Sequence, residues 1–259
     1  MILEGKLVAE KIYQGIREKK VSVSLAVILV GEDPASLSFV KAKEQQANNL
    51  GIDFKLYHLP GIARQEQIEE LIEALNQNKY IHGIVIQLPL PKEFDAQKIL
   101  KKIVPKKDID GFSGRFPPPT VMAILEILNF YKIHLRNKRI VIVGHGRLVG
   151  RPLEKMLKKE GMDPVTCDSQ TSDLKSQTLQ ADILISATGV AGLIKPEMVS
   201  AKMVVIDAGT SEIGGHIAGD VDKEVYSKVA AYTPVPGGVG PVTVAELFKN
   251  LVKVAPKAL

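Results

Sequence analysis

The segment Ile140-Val141-Ile142-Val143-Gly144-His145-Gly146-Arg147-Leu148-Val149-Gly150 constrains the fold more than any other. Four β-branched residues in a row read as a strand buried on both faces, the habit of parallel sheets. Glycines follow at once, spaced Gly-x-Gly-x-x-x-Gly, and the pattern predicts a helix over Arg151–Glu160. Glycine permits a tight turn and close backbone approach, while the next helix offers free N–H groups to a phosphate. A second strand is expected at Pro164–Cys167. It ends in Asp168, at about the 20-residue offset where a carboxylate meets an adenosine ribose. The glycines alone are a weak signal, compatible with a plain strand–turn–helix corner. Strand, helix and acid together point to a dinucleotide. Asp168 would repel a 2′-phosphate and favours NAD, whereas Arg147, Arg151 and Ser169 are candidate phosphate partners that favour NADP.

The rest of the chain repeats the alternation of short β-branched runs with helical stretches, which predicts an α/β fold with parallel strands. Strands are expected at Leu25–Val30, Phe54–Leu59, Gly83–Gln87, Arg139–Val143, Ile183–Ala187 and Val204–Asp207. Helices are expected at Ser36–Leu50, Gln65–Asn78, Asp95–Ile103 with Asp95 as its cap, and Val121–Tyr131. The stretch from Asp110 to Pro119 is rich in Gly and Pro and ends in three prolines, which break a helix or a central strand. It marks a boundary between a first domain, 1–120, and a second, 121–242. A last helix, Thr243–Val252, carries Val244, Leu247, Phe248 and Leu251 on one face. That face must pack, and residues 243–259 are expected to return to the first domain.

Composition excludes several classes. The longest clean apolar run, Leu25–Val30, is far short of the roughly 20 residues of a membrane span. The N-terminus lacks a basic region followed by an apolar core, which favours the cytoplasm. The one cysteine, Cys167, can form neither an internal disulfide nor a cysteine-based zinc site, and it is expected to be a buried small hydrophobe. No histidine pair has metal-ligand spacing, so no metal is expected. The net charge of +5 is scattered, and aromatics are only 5%, which argues against nucleic acid and suits small anionic ligands.

Polar residues at strand ends in the first domain are candidates for chemistry, because ligands of open α/β sheets bind beyond the carboxyl ends of strands. Gln87 follows a buried strand. Asp108 and Asp110 flank Ile109 before Gly111, and Lys43 lies in a helical stretch after the loop 31–36. A desolvated lysine can lose its proton and act as a base. Each also has a plain structural reading: a surface helix lysine, a strand-end cap, a turn carboxylate.

Four segments occur in one order: Gln87-Leu88-Pro89-Leu90-Pro91, Lys107-Asp108-Ile109-Asp110-Gly111-Phe112, Val149-Gly150-Arg151-Pro152 and Thr233-Pro234-Val235-Pro236-Gly237-Gly238-Val239-Gly240-Pro241. Over essentially its whole length the chain resembles the bifunctional methylenetetrahydrofolate dehydrogenase/methenyltetrahydrofolate cyclohydrolase family. The resemblance implies an N-terminal catalytic domain, a Rossmann-like dinucleotide-binding domain and a last helix returning to the first. It implies oxidation of 5,10-methylenetetrahydrofolate with NAD(P)+, then hydrolysis of the methenyl product to 10-formyltetrahydrofolate. This is one-carbon chemistry of the kind that feeds purine biosynthesis, in a cytoplasmic homodimer joined through the cofactor domain. Phe39-Val40-Lys41-Ala42-Lys43 matches the family's Tyr-Val-x-x-Lys. Lys43 then polarises and transfers protons, Gln87 orients and tunes it, and Asp110 holds the pterin edge. Phe39, Leu88 and the backbone at Pro236, Gly237 and Gly238 border the folate. Gly144, His145, Gly146, Arg147, Val149, Asp168, Ser169 and Thr210 line the cofactor. The expected cofactor is NADP, with NAD the alternative.

The chain departs from the family at four places. Phe39 replaces a tyrosine and lacks its hydroxyl, which puts the hydrolytic step in question. The segment 111–120 is short, and Pro118-Pro119-Thr120-Val121 stands for Pro-Cys-Thr-Pro. His145 and Gly146 stand for an arginine and a serine, and Asp168 and Gln170 for a histidine and a lysine. The competing readings are a dehydrogenase that has lost hydrolysis, a dehydrogenase of another small acid such as a shikimate-like substrate, and a non-enzymatic folate-binding descendant.

Overall fold

The computed structural model describes residues 1–214 and 216–255. In chain order the elements are α1 Gly5–Arg17, β1 Ser24–Val30, α2 Pro34–Asn49, β2 Asp53–Leu59, α3 Gln65–Gln77, β3 Gly83–Ile86, α4 Ala96–Leu100, α5 Pro119–Phe130, β4 Ile140–Val143, α6 Gly150–Lys159, β5 Val165–Cys167, α7 Leu174–Leu179, β6 Ile183–Ser186, β7 Val204–Asp207, β8 Ser211–Ile213, β9 His216–Ala218, β10 Ala231–Tyr232 and α8 Val239–Lys253. They form two compact units. One comprises Lys11–Pro119 and the chain from Val244 onward, the other Met1–Glu10 and Thr120–Thr243.

The first unit holds a parallel three-stranded sheet in the order β2-β1-β3. All seven residues of β1 and all four of β3 are buried, as their unbroken apolar runs require. The edge strand β2 alternates between exposed and half-buried positions. Ile68, Ile72 and Leu75 of α3 pack on Ala26, Ile28, Ile84 and Ile86 of this sheet. Local chemistry starts its helices. Asp33 caps α2 by accepting from Ser36 N at 2.8 Å, with Pro34 in the first turn. Asp95 accepts from Gln97 N and Lys98 N to cap α4, which stops at Leu100 instead of reaching Ile103. The last helix returns to this unit. Phe248 and Leu251 are fully buried, and Asn250 donates to the carbonyls of Ile109 and Pro117, each at 3.0 Å.

The second unit holds a parallel five-stranded sheet in the order β10-β7-β6-β4-β5, with β8 and β9 as a separate antiparallel hairpin. β4 and β6 are buried throughout, and Val143 pairs with Cys167 on one side and Ser186 on the other. Numbered within the unit the order is 2-1-3-4-5, so the chain reverses direction across the sheet between β4 and β6. That switch point is where a doubly wound sheet opens a crevice for ligands. Cys167 is buried, and burial pushes its thiol pKa up.

Several elements differ from the sequence expectation. Helix α1 was not anticipated, because Gly5 and Gly15 interrupt its pattern, yet Val8, Ala9, Tyr13 and Ile16 are all buried. Met1–Glu10, expected in the first domain, cluster with the second unit instead. Ile2 bridges Tyr232 in parallel, and Leu3 N donates to Tyr232 O at 2.8 Å. α5 begins on Pro119 itself, since a proline on the first turn loses no helical hydrogen bond. For the same reason α8 starts at Val239, inside the Gly-Pro stretch, with Pro241 in its first turn. Helix α7, the β8–β9 hairpin and β10 are further elements that short, mixed sequences did not reveal.

Candidate active site

The first unit brings three of the expected residues together. Gln87 leaves the carboxyl end of β3, held by its own N–H to Ile28 O at 2.9 Å. Its side chain is buried, and Nε2 donates to Leu88 O at 2.6 Å. That bond settles the orientation of the amide and leaves Oε1 to accept from Lys43 Nζ at 2.7 Å. Lys43, on α2, is thus half-buried against a neutral acceptor, not a solvated surface lysine. Burial lowers its pKa, and the charge of Asp110 opposes the shift. Asp110 is itself pushed up to about 6 by burial and by Asp108, with Lys43 pulling the other way.

The two acids of Lys-Asp-Ile-Asp-Gly have separate uses. Asp108 is buried and accepts from Gly111 N at 3.1 Å and Ser113 N at 2.5 Å. Its carboxylate is consumed in locking the turn. The segment is fixed to the sheet by the parallel bridge between Ile84 and Asp108. It is fixed again by Lys107, which is buried and donates to Leu75 O and Asn78 O at 2.7 Å, capping the end of α3. Asp110, two residues on, is half-buried and electrostatically coupled to Lys43. Phe39 lies one turn before Lys43 on α2 and is also half-buried, as is Leu88, whose peptide bond to Pro89 is cis. Sequence reasoning passed over Ser36, at the start of the same helix. It is buried, and its Oγ has no hydrogen-bond partner among the described residues.

The second unit offers backbone where the first offers side chains. Gly144 ends β4 at φ +98°, a conformation that side chains resist, and a Cβ there would strike the carbonyl of Ala187 at the end of β6. The loop therefore lies at the switch point. A Cβ on Gly146 would meet nothing within 4 Å, so that face of the loop is open. Val149 is the N-cap of α6 and makes no side-chain cap. In the first turn Arg151 N donates to Gly146 O at 3.0 Å, Leu153 N to Val149 O at 2.9 Å and Pro152 has no N–H, which leaves the Gly150 amide to face a ligand. These features fit a diphosphate. Gly144 N donates to Cys167 O at 2.8 Å, which sets Asp168 beside the loop. Asp168, Ser169, Gly146, Arg147 and Thr210 are exposed, and Val149 is half-buried. His145 is half-buried, and its Nε2 lies 2.6 Å from Glu154 Oε2 on α6. Pro236, Gly237 and Gly238 precede α8 in this unit, where Gly237 O accepts from Gly5 N at 2.9 Å.

A buried pair of acids escaped the sequence reading. Asp207, at the end of β7, accepts from Gly209 N, Asp220 N and Val221 N at 3.0–3.1 Å. Asp220 accepts from Ser186 Oγ at 2.8 Å and Thr188 N at 2.6 Å. Its other oxygen is buried with no partner among the described residues. Burial and Asp220 push Asp207 up to about 6, against the pull of its backbone donors. Asp-x-Gly at a strand end and Gly-Asp-Val-Asp thirteen positions on were the available signals.

Residues 3–110 match the catalytic domain of tetrahydrofolate dehydrogenase/cyclohydrolase, and residues 118–259 match its NAD(P)-binding domain. The bifunctional protein FolD of Bacillus pumilus is 38% identical, over 100% of this chain and 98% of the relative. The crystal structure of the bifunctional FolD dehydrogenase/cyclohydrolase of Campylobacter jejuni superposes with a TM-score of 0.91 at 38% identity, covering 98% of each chain. That of the Trypanosoma brucei enzyme, complexed with NADP cofactor and inhibitor, gives 0.91 at 31% identity over 98% of this chain and 96% of that one. The chain belongs to the tetrahydrofolate dehydrogenase/cyclohydrolase family.

Proposed function

We propose that this protein oxidises 5,10-methylenetetrahydrofolate to the 5,10-methenyl cation with a nicotinamide dinucleotide, then hydrolyses the cation to 10-formyltetrahydrofolate. The observation that carries this reading is the Lys43–Gln87 contact of 2.7 Å with Asp110 coupled to it, in a chain matched over nearly its whole length by the family. The NAD(P)+ nicotinamide supplies the hydride acceptor. Loss of hydride leaves a cation at the one-carbon unit, and water adds to it. Lys43, made less basic by burial, takes a proton from the attacking water. It returns that proton to the folate nitrogen as the carbon–nitrogen bond breaks and the formyl group forms, and one proton leaves to solvent. Gln87 holds the amine in place through an acceptor that cannot itself take the proton. Asp110 accepts the paired N–H donors of the aminopyrimidine ring, a task that suits a carboxylate. Phe39 and Leu88 contribute apolar surface to the folate.

The glycine loop from Gly144 to Gly150, with Thr210, takes the dinucleotide. The family resemblance favours NADP+, which would use the exposed Ser169, Arg147 and Arg151, whereas the carboxylate of Asp168 beside them favours NAD+. Residues 1–120 are assigned the folate chemistry, 121–242 the cofactor and 243–259 the returning helix. A cytoplasmic homodimer serving purine biosynthesis completes the proposal, and sedimentation velocity tests the dimer. The activity is tested by adding methylenetetrahydrofolate with NAD+ or NADP+ and following methenyl- and 10-formyltetrahydrofolate in one cuvette. Formation of both products at rates above the uncatalysed ones is expected. Methenyl accumulation with ring opening only at the uncatalysed rate would leave a dehydrogenase alone, and no turnover with either nucleotide would refute the proposal.

A further inference from the structure

We infer that the nucleotide site discriminates against a 2′-phosphate, so that NAD(H) binds better than NADP(H), with Asp168 as the residue that decides. The inference rests on the dinucleotide reading of the glycine loop and sharpens it. A dinucleotide held on such a loop lays its adenosine ribose at the end of the neighbouring strand. Here that strand is β5, and the bond from Gly144 N to Cys167 O at 2.8 Å brings its last residue against the loop. Asp168 comes next, and its position is fixed by its neighbours. Its N–H donates to Thr171 Oγ1 at 3.0 Å, and its Oδ1 accepts from Gln170 N at 2.9 Å. Its Oδ2 has no hydrogen-bond partner among the described residues. An anchored carboxylate with one open oxygen can only accept, which suits a ribose 2′-hydroxyl as donor. A phosphate in the same place would set acceptor against acceptor and anion against anion.

The other side chains near the loop do not reverse this. His145 projects from the glycine turn, and its Nε2 is 2.6 Å from the Glu154 carboxylate. The same carboxylate holds Lys158 at 2.8 Å. Both groups are thereby engaged within the protein. Gln170 is neutral, and its backbone N–H is given to Asp168. Arg151 uses Nε to donate to His145 O at 3.1 Å, with its remaining donors exposed. Arg147 is exposed at the loop's outer turn. These two arginines and the hydroxyl of the exposed Ser169 are the phosphate donors the site retains among its described residues, and the fixed charge of Asp168 opposes them.

The test is direct binding, by fluorescence titration of the purified chain with NADH and with NADPH, without folate. NADH is expected to bind at least about tenfold tighter, which is about 1.4 kcal/mol. Asp168→Ser should weaken NADH and strengthen NADPH, moving the ratio by about tenfold or more. Gln170→Lys should strengthen NADPH and leave NADH nearly unchanged. Both positions are exposed, and circular dichroism checks the fold of each variant. Equal or tighter binding of NADPH by the native chain, or a ratio that Asp168→Ser does not move, overturns the inference. Failure to bind either nucleotide overturns it together with the dinucleotide reading. A chain that binds NADH as expected but does not turn over methylenetetrahydrofolate refutes the proposed reaction and leaves this inference standing.

Discussion

The two parallel sheets are built on one plan and used in opposite ways. In each, the first strand lies between the second and the third, so each has a switch point beside its most buried strand. In the three-stranded sheet the site is made of polar side chains, two of them titratable: Lys43 in contact with the neutral Gln87, and Asp110 coupled to the lysine. In the five-stranded sheet it is made of glycines and a helix N-terminus without a side-chain cap. Moving a proton needs a desolvated side chain whose pKa has been shifted towards neutrality. Holding a diphosphate needs backbone N–H groups that nothing blocks. The same topology serves both because it supplies only the crevice.

The sharpest way to break the comparison is Lys43→Met. The variant should lose turnover by about 10²–10⁴-fold, the usual range for a general acid–base group. Its NADH affinity should stay at the native value, which titration of the same preparation would check. An equal fall in both would mean that Lys43 holds the fold and not the proton.

Gly144→Ala strikes the other sheet. The positive φ and the collision with the Ala187 carbonyl should cost about 1–3 kcal/mol, seen as a 10- to 100-fold loss of dinucleotide affinity or as a lower Tm. Calorimetric titration and a thermal melt would read the two outcomes. Hydrolysis of added methenyltetrahydrofolate should survive better than hydride transfer does.

Two aspartates sharpen the contrast further, since both are pushed up to about 6 by burial. Asp110 in the folded chain binds a proton more readily than in the unfolded one, where its value is near 3.8. Stability contributed by this group is therefore greatest below pH 4 and falls as pH rises towards 6. Asp110→Asn should remove that loss, raising stability at pH 7 by on the order of 1–2 kcal/mol while folate binding collapses. The gain should vanish at pH 4, and melts at the two pH values would show it. Folate affinity of the native chain should weaken as pH drops below 6 and Asp110 takes up its proton. Asp207 differs because its oxygens accept from three backbone N–H groups. Asp207→Asn points an NH₂ group at one of those donors, and it should lose about 1–3 kcal/mol of stability. A gain there instead would show that the acid is merely strained.

The smallest effect is expected from Phe39→Tyr. It adds a hydroxyl one helical turn from Lys43 and should speed ring opening by a few-fold, with the oxidation step little changed. Stopped-flow measurement on methenyltetrahydrofolate would separate the two. An unchanged rate would mean that water is already well placed without the hydroxyl.

Much of this architecture is legible from neighbouring residues. Unbroken runs such as Leu25–Val30 and Ile140–Val143 became fully buried central strands. Asp95 is expected as a cap and accepts from the amides two and three residues on. Asp33, which the sequence places in a loop before a helix from Ser36, caps α2 in the same way, so that the helix starts at Pro34. Gly144 was readable because a strand running straight into a tight turn leaves room only for glycine. Other features were not readable in this way. Lys43 looks like any exposed helix lysine, since α2 has small and polar residues on most sides and nothing local says which side is covered. Asp108 and Asp110 are equivalent in their motif until one is seen to be spent on the turn. His145 reads from sequence as a cofactor contact, and only the fold sets Glu154 against it.

The sequence by itself determined the central strands, the Asp95 cap, the glycine turn and the family, because each depends on residues close together or on motifs in a set order. Only the tertiary structure decided which charges matter. Lys43 and Gln87 are 44 positions apart, and their contact exists only once β1 and β3 pair beneath α2. Desolvation and Coulomb coupling depend on distance in space, and a chain acquires those distances only by folding.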